Sequence, residues 1–311
     1  MPAHHVLDPT PDTVHWGYLD AAIPPRLTVD SGDTVVIDTV SGGRKELGDI
    51  SFLRPDHREI AEKVVQGPGP HILTGPVAVR GARPGDTLEV RIEAIELTAD
   101  WGWNIIRPLK GTLPEDFPRL SRRIVPIDRK TLTAQLPWGP TLPLRPFFGI
   151  LATAPRPEYG PVSSVEPREF GGNMDCKEFV DGTSLFLPVF VDGAHFSAGD
   201  GLAVQGDGEV CLTALETCLR GTFQLVLHPR TGLASPRAIT PTHHITLGMD
   251  PDLDDAAKQA LRDMLAWLGE LKGWSREEAY VFCSLACDLH VTQLVDGNKG
   301  VHAMVSRALL A

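Results

Sequence analysis

Apolar and polar positions alternate along much of the first two thirds of the chain, and then give way to a helical spacing. Leu88, Val90, Ile92 and Ala94 interleave with Glu89, Arg91 and Glu93, the pattern of a strand with one buried face. Shorter runs of the same kind fall at Leu27–Val29, 33–40, Val77–Val79, 185–191, 209–215 and 222–227, each bounded by Gly, Pro or Asp-Gly. Residues 99–150 carry Pro and Trp and read as long loops with a hairpin near 131–136 and 141–143. From Asp252 the period changes. Ala257, Leu261, Leu265 and Leu268 recur at four and three, with Asp254 as a candidate N-cap and Gly273 as a stop. A second helix opens at Ser275 with Glu278 three residues on, a capping box, and carries Ala279, Phe282, Cys283 and Ala286. A last strand runs over 289–295 to the turn at Asp296 and Gly297.

These elements predict a mainly β protein, a β-barrel or β-sandwich-like core with a smaller α/β C-terminal part. Three segments follow: a β-rich N-terminal domain over 1–146, a sandwich part over 147–235, and an α/β part over 236–311. Glycine and proline number 30 and 27 and lie between apolar runs, which suits many turns joining short strands. The formal charge of −11, with no basic run, excludes nucleic-acid and anionic-membrane partners from the expectation. No apolar window reaches the ~18 residues of a membrane span. The first residues lack a cationic head followed by an apolar run, so the cytoplasm is the expected compartment. Five cysteines without a CxxC pair argue against a disulfide framework or a zinc ribbon.

Candidate chemistry concentrates between Gly171 and Glu209. Asp175, Lys177, Glu178, His195, Asp200, Asp207 and Glu209 stand there among glycines, which let the backbone turn left-handed and approach a ligand. Carboxylates and a histidine on such turns suit metal binding or general acid/base work. The same residues also read as hairpin turns, because Asp-Gly recurs at 181, 192, 200 and 207.

The segments GGNMDCK (171–177), FSAGDG (196–201) and QGDGEV (205–210), with VHWGYLDAAIPPRLTVDSGDTV near the start and PTHHITLGMDPDLDDAAKQALRDML near the end, resemble the acetamidase/formamidase family. The likeness is collinear over nearly the whole chain. It implies a β-rich fold, a homo-oligomer, and hydrolysis of a small linear amide to a carboxylate and ammonia. No GxSxG elbow is present for a Ser-His-Asp triad. Cys176, Lys177 and Glu178 are adjacent, and neighbours in an extended chain face apart, so they do not converge on one atom. A water activated by a divalent metal, zinc among the options, or by a carboxylate is the remaining route.

On this reading Asp175 is a ligand or base and Glu209 the general base. His71 is a ligand or amide-orienting donor, and Trp103 and Asn173 line the substrate pocket. Asp207 either closes a turn, the favoured reading, or binds metal. Leu202 stands where the family usually carries histidine. His195, seven residues earlier, replaces it as a ligand if a hairpin at 197–201 brings the two positions opposite each other. The alternative is a catalytically impaired, β-rich small-ligand-binding protein. Asp288, taken as helical, and His243 are further family-like positions.

Overall fold

The computed structural model describes residues 2–310. Strands dominate, in two large sheets of nine and eleven strands and a two-stranded pair. Thr87–Leu97 and Leu219–His228 pair antiparallel over ten residues in the nine-stranded sheet. As the alternation predicts, Leu88, Val90 and Ile92 are buried and Arg91 and Glu93 exposed. Glu89 departs from it: its carboxylate is buried, held by Arg91, His228 and Ser184. The second sheet is built on Phe196–Val204, flanked by Phe147–Ala152, Ile72–Val79 and Leu215–Thr217.

The main core lies between the two sheets. Phe223 of the first meets Phe148 and Phe196 of the second edge-on, with ring centroids 5.4 and 5.6 Å apart. Around them Val35, Ile37, Leu88, Val90, Val77, Leu151 and Ala198 form one apolar cluster. Burying side chains of this size contributes about 1.5–3 kcal/mol each. Neither sheet closes on itself, so of the expected barrel or sandwich-like core it is the layered form that is found. The nine-stranded sheet takes strands from all three expected segments, from His4–Leu7 to Lys299–Ser306.

The C-terminal helices are close to expectation. Leu253–Lys272 is capped by Asp252, not Asp254, because the Asp252 side chain accepts from the amides of Asp254 and Asp255 at 2.9 and 3.2 Å. Its buried face centres on Ala256, Ala260, Met264 and Leu268 and packs on Val301, Ala303 and Val305, with Ala257 and Leu261 at the edge. The approach is close enough that a Cβ at Gly248 would run into the Ala256 carbonyl. Gly273 ends the helix in the left-handed conformation at φ 69°. The Ser275–Glu278 box opens Arg276–Ala286, with both of its hydrogen bonds formed.

Other assignments change as well. Residues 99–150 hold the paired strands Trp101–Ile106 and Ser121–Asp128, where loops are expected. Asp288 belongs to the strand Cys287–Gln293 and is exposed, because the helix ends at Ala286. No helix is long and apolar enough to cross a membrane among the described residues.

Candidate active site

Four elements bring acids together, three strands of the second sheet and one turn that follows a strand of the first. Gly171–Asn173 pairs with Phe147–Ala152 and delivers Asp175 just beyond its end. Phe196–Val204 carries Asp200, and the turn after it carries Glu209. Leu215–Thr217 sets Glu216 opposite Leu202. The turn that follows Cys287–Gln293 adds Asp296. All five carboxyl groups are buried. One carboxylate oxygen each from Asp175, Glu209 and Asp296 lies within 4.8 Å of the other two.

These acids border a cavity of about 330 Å³. His71, Trp103, Asn173, Asp200, Glu209, Glu216 and Asp296 line it, together with Arg107 and Lys110, and Asp175 lies behind that lining. His71 turns Nδ1 to the Ser164 hydroxyl and carbonyl, at 3.0 and 3.1 Å, and Nε2 toward Asp200 at 3.9 Å. Trp103 donates its indole N–H to Ser41, leaving the ring face as an apolar wall. Gln205 donates to the Asp175 carbonyl at 2.9 Å, which ties the two turns together.

The backbone is strained where the acids sit. Asp175, Asp200 and Glu209 have φ of 50°, 57° and 46°, in the left-handed region that side chains with a Cβ seldom adopt. Such positions cost of order 1–3 kcal/mol each and persist only where the surroundings fix them. Asp200 does not close a hairpin; its left-handed twist sits inside one continuous strand.

Between two of the acids stands Gly149. A Cβ there would fall on Oδ2 of Asp200 and Oδ1 of Asp175. Gly149→Ala is therefore expected to lower stability by about 1–3 kcal/mol, the usual cost of overpacking. A denaturant midpoint unchanged from wild type would show that the acids can move aside.

Burial and mutual repulsion dominate the electrostatics. Asp175 binds its proton far more tightly than an ordinary aspartate, first because it is buried and then because Asp296 and Asp200 repel its charge. Glu209 is raised in the same way by burial, Asp175 and Asp296, and Glu216 by burial and Asp200. Burial pushes Asp296 up to about 7, against the opposing pull of its contact with Asp175 and of Lys110. Both oxygens of Asp175, Oε2 of Glu209, Oδ2 of Asp296 and Oδ1 of Asn173 are buried with no donor among the described residues. Acceptors crowded in this way need protons or a cation between them. An all-oxygen set of this kind fits a divalent ion that prefers carboxylates.

Of the residues singled out in the sequence, Asp175 and Glu209 meet at this cluster, and His71, Trp103 and Asn173 line the cavity. His195 does neither. The hairpin that would bring it opposite Leu202 does not form, because Phe196–Val204 runs as one strand. At about 3.3 Å per residue, the two positions are roughly 20 Å apart along it. Leu202 itself points into an apolar cluster with Phe147 and Ala214 and takes no part in the cavity. Residues 206–214 form turns, so the strand expected from Glu209 is absent and Leu215–Thr217 replaces it. Cys176 is wholly buried, and burial pushes its thiol above the ordinary range, which leaves it a poor nucleophile.

Two acids escaped the sequence reading. Glu216 sits in Ala-Leu-Glu-Thr-Cys-Leu, where a lone charge in an apolar run is itself a sign of a buried, functional group. Asp296 looks like any Asp-Gly turn residue, and only the fold shows where it goes.

The family model described as the acetamidase/formamidase family matches residues 11–162 and 158–306. An acetamidase of Mycolicibacterium smegmatis is 28% identical over 198 residues, which is 45% of this chain and 49% of that protein. A formamidase of Methylophilus methylotrophus is 29% identical over 191 residues, 45% of this chain and 47% of that protein. The chain thus matches about half the length of these relatives. The crystal structure of an acetamidase from Bacillus halodurans superposes with a TM-score of 0.84 at 28% identity, covering 98% of both chains.

Proposed function

Because the chain belongs to the acetamidase/formamidase family, we propose that its acidic cavity hydrolyses the C–N bond of a small linear amide, of the formamide or acetamide type. The observation that carries this reading is the convergence of Asp175, Glu209 and Asp296 beside a small, partly apolar cavity.

The reaction adds water to the carbonyl carbon, forms a C–O bond, breaks the C–N bond, and moves a proton from the water to the departing nitrogen. The unpaired Oδ1 of Asn173 is an acceptor for the amide N–H, and the Trp103 ring covers the acyl side. Glu209 carries the proton. Burial and the charges of Asp175 and Asp296 raise its proton affinity above that of an ordinary glutamate, which suits a group that takes the proton from water and passes it to the departing nitrogen. His71 and Asp200, facing each other, border the same space. Asp175 and Asp296 are the residues that would hold a divalent cation, which when bound polarises a carbonyl and acidifies water. Their oxygen donors favour a hard cation over zinc.

The test is ammonia release from a panel of short amides, before and after chelation and after return of Mg²⁺, Mn²⁺ or Zn²⁺. Turnover that falls on chelation and returns with a cation is expected. A pure, folded preparation that releases no ammonia under any of these conditions would sink the proposal.

A further inference from the structure

A second cluster lies on the other side of the turn that carries Glu209. The strands Cys287–Gln293 and Lys299–Ser306 pair antiparallel with His290 directly opposite His302, so both rings project from one face. The rings lie almost parallel, 8° apart in plane, with centroids 4.9 Å apart. Asp207, in the turn before Glu209, reaches Nδ1 of His290 at 3.2 Å. One nitrogen from each ring and one Asp207 oxygen lie within 4.8 Å of one another.

Two further observations point to an occupant. His302 is fully buried; its Nδ1 meets the Thr292 hydroxyl at 2.7 Å, and its Nε2 has no partner among the described residues. A buried imidazole nitrogen without a partner costs free energy that a ligand would recover. The Thr292 contact also fixes the ring, as outer partners do for metal-bound histidines. Asp207, by contrast, is open to solvent, so an ion can enter from outside.

We propose that Asp207, His290 and His302 form a second cation site, separate from the cavity, that takes Zn²⁺ or a similar borderline divalent ion. Two imidazoles and one carboxylate are a donor set suited to zinc, with a fourth position left for water. Ligand atoms around tetrahedral zinc at about 2.0–2.1 Å stand roughly 3.3 Å apart. The Asp207–His290 spacing already meets this, and the exposed turn bearing Asp207 can close on His302.

Lys177 is the competitor. Its ammonium lies 3.0 Å from Oδ2 of Asp207 and supplies positive charge to the carboxylate that the ion would take. The neighbouring Glu178 is occupied by Arg145 at 2.9 Å.

The test is calorimetric titration of chelator-treated protein with Zn²⁺, repeated with Co²⁺ to read its visible absorption. Wild type should show a binding event that persists in Asp296→Asn, a cavity variant. It should weaken roughly 10–100-fold or more in His290→Ala and in the better space-filling His290→Gln. His290 is half-buried, so these variants should fold. Lys177→Met should bind several-fold more tightly, because the competing ammonium is gone. The proposal is overturned if both His290 variants titrate like wild type, or if all binding disappears in Asp296→Asn.

Discussion

Glu209→Gln is expected to lower kcat/KM for a short amide by about 10²–10⁴-fold, the range over which a positioned acid/base contributes. Glutamine keeps the shape and the acceptor oxygen but cannot take up a proton. KM should therefore change little while kcat carries the loss. The fold should survive, because Glu209 is already driven by its surroundings toward the neutral form that glutamine imitates. The pH profile of the residual activity should also lose the limb that Glu209 supplies. The comparison with Glu216→Gln makes the result specific. Glu216 is equally buried, its proton affinity raised by burial and by Asp200, and its Oε1 accepts from the Ala214 amide at 3.0 Å. A Glu209→Gln enzyme within a few-fold of wild type, beside a dead Glu216→Gln enzyme, would transfer the proton-carrying role to Glu216.

The parts legible in the sequence are those fixed by local physics. The helix stop at Gly273 and the capping box at Ser275 depend on a few neighbouring residues, and both form as read. The alternation through Leu88, Val90 and Ile92 needs only a buried face, and the fold provides one. The site was half legible. Asp175 and Glu209 stand out because they follow glycine-rich turns, and their left-handed backbones are what such turns allow. Asp296 lies in a turn far along the chain from Asp175, and Glu216 lies on a strand that pairs beside Phe196–Val204, matters of long-range pairing that no local pattern encodes. His195 misled for the same reason. Its proposed place opposite Leu202 required a hairpin, and four residues of Ser-Ala-Gly-Asp can turn or extend; pairing on both sides holds them extended.

In chelator, the protein is expected to lose stability as pH rises from about 6.5 to about 8, the reverse of ordinary carboxylate behaviour. Below that window the buried His15, His57 and His302, each lowered to about 4, gain stability as pH rises and offset the acids. The sign follows from proton affinity. Asp175, Glu209 and Glu216 hold protons more tightly folded than unfolded, and Asp296 is raised from 3.8 to about 7. A group shifted upward contributes stability that is complete below its unfolded value, near 4, and is lost as pH climbs through its folded value. For Asp296 alone this is on the order of 4 kcal/mol over the full span from its unfolded to its folded value. A divalent cation replaces the missing protons as counter-charge, so it should raise the melting temperature more at pH 8 than at pH 6.5. Asp296→Asn removes one of the repelling charges and should flatten the pH dependence without added metal. A melting temperature that holds level or rises between pH 6.5 and pH 8 in chelator would mean that the acids ionise freely, and the account of acids that hold their protons by burial and mutual repulsion would fall with it.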